Sequence, residues 1–551
     1  MSARTAAKVN SAQPDVTIVI SFRERWRFTA RTVASIVEHT TGNYALWLLD
    51  PGLPEAVRAA VMPHIEAGRL TLVPVARDQP PNQARGEIAA RLQSRLAVFI
   101  DNDVMVTAGW LEALIACADE TGAGIVCPLY LWGQNEHSEL IHMAGGDLEL
   151  VPGEDGARMT ESHRHVMRKI ADVPDDLQRR PCGFGEYHCV MMRREIYSAE
   201  GMFEPGIATV HEHIHASMLA REMGFETWFE PASRINYLAF APWRVGELDA
   251  LRTRWDYAAA EDSLSHFAQR WNIVDDGDFR APVHRFLTIH ASNTDVLDPR
   301  PGLGAARDRV TARTDLEHSF AGLQRLAIER GYDVKDVITL RQAYRLAMGV
   351  TAGQYRPCGR PFINHLAGTA SVLLFYGCAM PQVVAALLHA AHTHGPKKPT
   401  RHALEVFKDF NPQARAATRI VALYADRLPR IDQIDRDALD QLPVEIASLC
   451  LLDAANEVDM RLSLEVAVSG RTDILAGERM ANIRMVMEQI GLRGLAATLD
   501  SLGEGETTMV PFEKSLKMSF RVKQTGSGEP ERDRSSSPLG PAPKVERVQT
   551  H

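Results

Sequence analysis

Four short apolar runs set into helical periodicity constrain this chain more than any other feature of its first hundred residues. They are Val16-Thr-Ile-Val-Ile20, Ala45-Leu-Trp-Leu-Leu49, Leu70-Thr-Leu-Val-Pro-Val75 and Leu96-Ala-Val-Phe-Ile100. Runs so short and so continuous suit strands buried on both faces. Helical stretches at Thr29 to Glu38 and Pro54 to Glu66 fall between them. Strands alternating with helices imply an α/β fold, a parallel sheet with helices on its faces. Such sheets bind ligands at the carboxyl ends of their strands, which directs attention to Asp50 after the second run and to Asp101-Asn102-Asp103 after the fourth.

The pattern changes near residue 300. From Asp315 to about Gly503 it is helical throughout, as in Leu316-Glu-His-Ser-Phe-Ala-Gly-Leu-Gln-Arg-Leu-Ala, and Asp298-Pro-Arg-Pro-Gly-Leu-Gly304 disfavours any regular element before it. A chain of 551 residues exceeds one core at about 150 residues per domain. The expected organisation is a disordered segment 1–15, an α/β domain over 16–297, a linker at 298–310, an all-helical domain over 311–515 and a disordered tail at 523–551.

A formal charge of −9 argues against nucleic acid as a partner. Seven cysteines without a C-x-x-C pair suggest neither a disulfide framework nor a thiolate zinc site, and a reducing cytoplasm fits. The first fifteen residues have no apolar core of a secretory signal. Leu366 to Pro396 lacks Asp, Glu, Lys and Arg, but His389, His392, His394, Pro381 and Gly377 interrupt it; it reads as two buried helices joined at Gly377 to Pro381 rather than as a transmembrane segment.

Carboxylates at neighbouring strand ends suit a divalent cation that neutralises a diphosphate, although Asp after a strand also caps helices and fills turns. Several blocks decide in favour of the first reading. Val16-Thr-Ile-Val-Ile-Ser-Phe-Arg-Glu-Arg25, Leu49-Asp50-Pro51-Gly52, Asn82-Gln-Ala-Arg-Gly86, Asp101-Asn-Asp103 with Trp110-Leu111, Gly183-Phe-Gly185 through Met191-Met-Arg-Arg194 to Gly201-Met-Phe203-Glu204, and Arg254-Trp255-Asp256 to Phe267-Ala-Gln-Arg-Trp271 follow in order. This set resembles the family 2 glycosyltransferases of the GT-A fold, from about Val16 to about Ile273. The resemblance implies a nucleotide-diphosphate sugar donor contacted by Asp50, Arg23, Asp101 and Arg85. It also implies Mg²⁺ or Mn²⁺ on Asp101 and Asp103, and an acceptor that could be a glycan, lipid-linked or protein.

The pattern departs from the family where chemistry is expected. Inverting members carry Glu-Asp-x-Asp, whereas this chain reads His211-Glu212-His213-Ile214-His215, making His213 the general base, with Glu212 the next candidate. The alternating histidines could instead ligate a metal or begin an exposed helix. The late metal histidine of the family is replaced by a block ending at Asn236, whose carbonyl oxygen is a weaker donor. His137, His142, His163, His165 and His188 read as solvated or structural.

In the helical half, Arg356-Pro-Cys-Gly-Arg-Pro-Phe-Ile-Asn-His365, Ala385-Ala-Leu-Leu-His389-Ala390 and Leu451-Leu-Asp453 resemble the HD superfamily, in particular the hydrolase domain of Rel/Spo-type alarmone enzymes. The resemblance implies a second site of Arg356, His365, His389 and Asp453. The Asp of the His-Asp pair is Ala390 and the expected acidic pair is Thr393-His394. With His392 or His394 completing it, such a site would suit zinc or iron; without metal, the unit is a degenerate bundle serving regulation or assembly. Three readings follow: an inverting, metal-dependent glycosyltransferase, an HD-type phosphohydrolase, or an inactive scaffold.

Overall fold

In the computed structural model the apolar runs form β1 (Val16–Ser21), β2 (Tyr44–Asp50), β3 (Thr71–Pro74) and β4 (Leu96–Asp101). The structure describes residues 13–504, apart from 24, 77–78, 134–137, 239–240, 293–295, 297–315, 426–430, 432–433, 436–438, 440, 464 and 466–477. These four strands pair in parallel in the order β3-β2-β1-β4, with Ser21 opposite Asp101. All of β1 and β4 is buried, which is why their sequence is continuous rather than alternating. Helix Thr29–His39 turns Val33 and Ile36 inward at helical spacing, and helix Glu55–Glu66 does the same with Val57 and Val61.

Beyond β4 the expectation of a wholly parallel sheet fails. The remaining strands are β5 (Val104–Val106), β6 (Ile125–Trp132), β7 (Leu140–Met143), β8 (Gly146–Gly153), β9 (Gly156–His163), β10 (Arg180–Cys182), β11 (Cys189–Arg193) and β12 (Thr227–Tyr237). β11 inserts antiparallel between β4 and β6, β12 lies parallel to β6, and β5 and β10 pair antiparallel with β12. The sheet is therefore mixed, because the chain between β6 and β11 returns through a hairpin rather than through a helical crossover. That hairpin, β8 with β9, stands outside the main sheet. Gly146 and Gly183 let it close: a Cβ on Gly146 would meet the Phe184 ring at 2.4 Å, and one on Gly183 would meet the Leu148 nitrogen at 2.5 Å.

The second half is helical, including Phe320–Glu329, Val334–Val350, Phe362–Phe375, Met380–Leu388, Pro412–Tyr424, Val444–Leu462, Glu478–Gln489 and Arg493–Glu504. Side-chain caps fix several starts: Ser319 accepts from the Gly322 N–H, Asn411 from that of Ala414, and Asp333 forms a capping box with Asp336. The charge-free stretch forms two buried helices, Phe362–Phe375 and Met380–Leu388, and among the described residues no helix is long and apolar enough to cross a membrane.

The apolar cluster of these helices also takes in Trp243, Val245, Leu248 and Leu251, from the segment that follows β12. The Val245 N–H donates to the Leu442 carbonyl at 2.9 Å, and Arg25 stacks on Trp243. The 298–310 and 523–551 stretches lie outside the described residues. At the other end, Asp15 is tied down, donating its N–H to the Asn43 carbonyl and accepting from Arg95 at 3.0 Å.

Candidate active site

Asp101 ends β4 and is fully buried. Its Oδ2 accepts from Arg23 Nη1 at 2.8 Å and lies 3.0 Å from His188 Nδ1, while Oδ1 accepts from Arg85 Nη2 at 3.3 Å. Register explains the convergence. Asp101 stands opposite Ser21, just before Arg23, and β11 pairs Cys189 with Ile100, which brings His188 opposite Asp101. Burial alone would raise the Asp101 carboxyl, but Arg23, then His188 and Arg85, outweigh it and hold it well below the usual carboxylate range. Asp101, expected as a metal ligand, is thus placed between two arginines and a histidine.

Arg85 has capacity left for an anion. Arg85 is 1% exposed, lies over the Tyr187 ring at 4.1 Å, and its Nη1 has no hydrogen-bond partner among the described residues. Asn102, the middle residue of the motif, is structural: its Oδ1 accepts from the Arg23 N–H at 2.7 Å and its Nδ2 donates to Thr29 Oγ1 at 2.9 Å.

Asp103 is fully buried and caps no helix, since the next helix starts at Trp110 with Gly109 at its cap. Its carbonyl accepts from the Leu238 N–H at 3.0 Å, and the adjoining ladder pairs Met105 with Asn236. Asn236 is fully buried, and neither its Oδ1 nor its Nδ2 finds a hydrogen-bond partner among the described residues. Orphaned buried amides are costly, so a ligand for that oxygen is physically favoured. Asp103 and Asn236 together fit a hard divalent cation better than Asp101 does.

Asp50 ends β2. Its Oδ1 accepts from the N–H groups of Gly52 and Leu53 at 2.9 and 2.7 Å, and its Oδ2 from Arg58. As placed, its carboxylate is engaged by its own turn, the alternative that sequence alone left open.

Glu212 and His213 open helix Glu212–Glu222, and His211 before them adopts a left-handed backbone at φ 58°. Glu212 is buried and accepts from Arg254 at 3.2 Å. His213 is half-buried and packs 5.4 Å from the Phe184 ring. His215 is withdrawn from any shared ligand face: its Nε2 meets the Gly201 carbonyl at 2.7 Å and its Nδ1 accepts from Trp271. Glu161 lies beside this group, 3.7 Å from His211. Burial opposes its ionisation, but His211, then His213 and His163, bring it down to about 2.

Sequence reasoning missed the group next door. His142 on β7, His163 at the end of β9, and Glu186 and His188 on the turn before β11 converge, His142 and His188 buried and the other two partly so. His142 Nε2 lies 2.7 Å from Glu186 Oε2, His163 Nε2 lies 3.3 Å from Oε1, and His188 Nε2 lies 3.3 Å from Oε2. Three histidines read as solvated or structural therefore surround one carboxylate. The available signals were the alternation of β9, which turns Glu161 and His163 to its inner face, and the Glu186-x-His188 spacing next to Gly183-Phe-Gly185.

In the helical unit, the His365 and His389 rings meet at 5.3 Å, and His389 packs on Tyr424, whose hydroxyl donates to Asp453 Oδ1 at 2.6 Å. The expected set is therefore gathered, and several of its polar atoms are engaged, although His365 Nε2 has no hydrogen-bond partner among the described residues. Asp453 also pairs with Arg479, His365 Nδ1 lies 2.6 Å from Asp459, and Arg356 pairs with Glu465 at 2.8 Å. His365, His389 and Asp453 do not form a metal-ligating group among the described residues.

No curated protein matches the sequence. Among solved structures the chain is similar to GalNAc-T7 with UDP, GalNAc and Mn²⁺, at 17% identity and a TM-score of 0.33 over 51% of this chain and 58% of that one. It is also similar to the mannosyltransferase PcManGT from Pyrobaculum calidifontis in complex with GDP-Man and Mn²⁺, at 14% identity and a TM-score of 0.31 over 52% of this chain and 72% of that one. The family model described as Glycosyl transferase family 2 matches residues 17–200, the stretch from β1 to just past β11, which supports reading the chain as a glycosyltransferase-type enzyme.

Proposed function

We propose that this chain transfers a sugar from a nucleotide-diphosphate donor to an acceptor hydroxyl, with inversion at the sugar carbon. The observation that carries the reading is the arrangement, in a chain that matches the family 2 model, of a buried arginine pair on Asp101 beside the buried Asp103 and Asn236. Arg23 and Arg85 supply charge to a diphosphate. Asp103 and Asn236 would hold a Mg²⁺ or Mn²⁺, which supplies neutralisation of the departing nucleotide when bound.

His213 accepts the acceptor proton. It is preferred to Glu212 because the Glu212 carboxylate is already paired with Arg254, whereas His213 is half-buried against the Phe184 ring. The helical unit has a regulatory or assembly role in this reading, because its acids are matched by Arg479, Arg360 and Arg356. Calorimetry with a panel of nucleotide sugars, with and without Mn²⁺, tests the proposal. Metal-dependent binding of one donor is expected, together with a loss of transfer of about 10³-fold in Asp103→Ala. Unchanged turnover in that variant would refute it.

A further inference from the structure

Three imidazoles, those of His142, His163 and His188, surround the largely buried carboxylate of Glu186, and no guanidinium or ammonium is seen paired with it among the described residues. A carboxylate ringed by imidazole nitrogens and without a permanent cation beside it is a setting that a metal ion fits.

We propose that His142, His163 and Glu186 bind a divalent transition metal of the zinc type, at a site separate from Asp103 and Asn236. One ligand atom from each of the three residues lies within 4.8 Å of the other two. His142 Nε2 lies 2.7 Å from Glu186 Oε2 and His163 Nε2 lies 3.3 Å from Oε1, against a separation of about 3.3 Å between ligands on a tetrahedral zinc. Two nitrogens and one carboxylate oxygen suit zinc better than Mg²⁺ or Mn²⁺.

The surroundings are built to orient these groups. Tyr130, buried, accepts from the Glu186 N–H at 2.9 Å and donates to the carbonyls of Glu186 and Cys189, which fixes the turn. Trp132 stacks on the His142 ring at 4.7 Å. His188 approaches the same carboxylate through Nε2 while its Nδ1 is tied to Asp101, so it ties the cluster to the arginine clamp. Three protein ligands leave one coordination position open, the arrangement of sites that bind a water or substrate group.

The test strips the full-length protein with a chelator, reloads it with Zn²⁺ or Mn²⁺ separately, removes free metal and measures retained metal by mass spectrometry. Wild type and Asp103→Ala are expected to keep zinc, with His163→Gln and Glu186→Gln losing at least about 100-fold in affinity. Equal retention in wild type and His163→Gln, or retention in neither, overturns the proposal. Should those variants not fold, Co²⁺-loaded wild type decides, because a tetrahedral site gives intense visible absorption and its absence counts against the site. An Asp103→Ala protein that keeps zinc but loses sugar transfer separates this inference from the proposed activity, and a wild type that transfers sugar but retains no zinc after reloading sinks only the inference.

Discussion

His188 Nδ1 lies 3.0 Å from Asp101 Oδ2, in a pair with side chains that are 8% and 1% exposed. An aspartate and a histidine that are 87 residues apart in sequence are thus joined at the end of β4. Removing one member of a buried ionic group leaves the rest uncompensated. Asp101→Asn should lower stability at pH 7 by about 3–5 kcal/mol. The folded carboxyl is depressed below its reference value of 3.8, so its contribution is complete above that value and is lost as the pH falls through and below it. Urea midpoints from pH 7 down to pH 3 should therefore drop less steeply in Asp101→Asn than in wild type.

Glu457 behaves in the opposite sense. Burial, and then Asp453, push its carboxyl from 4.5 up to about 7, and its Oε2 has no hydrogen-bond partner among the described residues. Between those values the folded chain keeps a proton that the unfolded chain has released, so stability falls as the pH rises from 4.5 to 7. Glu457→Gln should match wild type near pH 4.5 and exceed it by about 2–3 kcal/mol at pH 8. Equal urea midpoints at pH 8 would count against the assignment.

If His213 takes the proton, His213→Gln should lower kcat by about 10²–10⁴-fold with little change in the donor KM. Glu212→Gln should act differently, disturbing the buried Arg254 pair and so costing thermal stability as well as rate. Steady-state kinetics with thermal melts on both variants distinguish a base from a structural carboxylate.

Gly183→Ala should destabilise more than Gly146→Ala. The new methyl group meets a backbone nitrogen at 2.5 Å in the first case and the Phe184 ring in the second, and a ring can rotate where a backbone cannot. Overpacking of this kind costs about 1–3 kcal/mol, and denaturant titrations of the two variants give the order.

Much of the fold was legible because period and length carry it. β1, β2 and β4 coincide with the apolar runs to within a residue or two, since strands buried on both faces leave no alternation to misread. The mixed half was not legible: whether β11 enters parallel or antiparallel depends on the path of the intervening hairpin, which no local pattern encodes. For the site, Arg23 and Arg85 meet on Asp101, but the partners of Asp101 are set by tertiary register. Asp50 was read for a ligand and is engaged by its own turn, while His142, His163 and His188 were read as bystanders and meet on one carboxylate. Sequence distance hid that meeting, because the residues come from a strand, a hairpin end and a turn that only the folded sheet stacks together.

The packing of Trp243, Val245, Leu248 and Leu251 against the helices bears on how the protein can be dissected. A fragment ending near residue 297 would carry these four side chains with nothing to cover them, and one beginning near residue 311 would have a hollow where they belong. At roughly 25 cal/mol per Å² of apolar surface, such uncovering makes either half prone to self-association. Excision that spares function would need to respect this shared seam rather than the run of prolines and glycines that follows it.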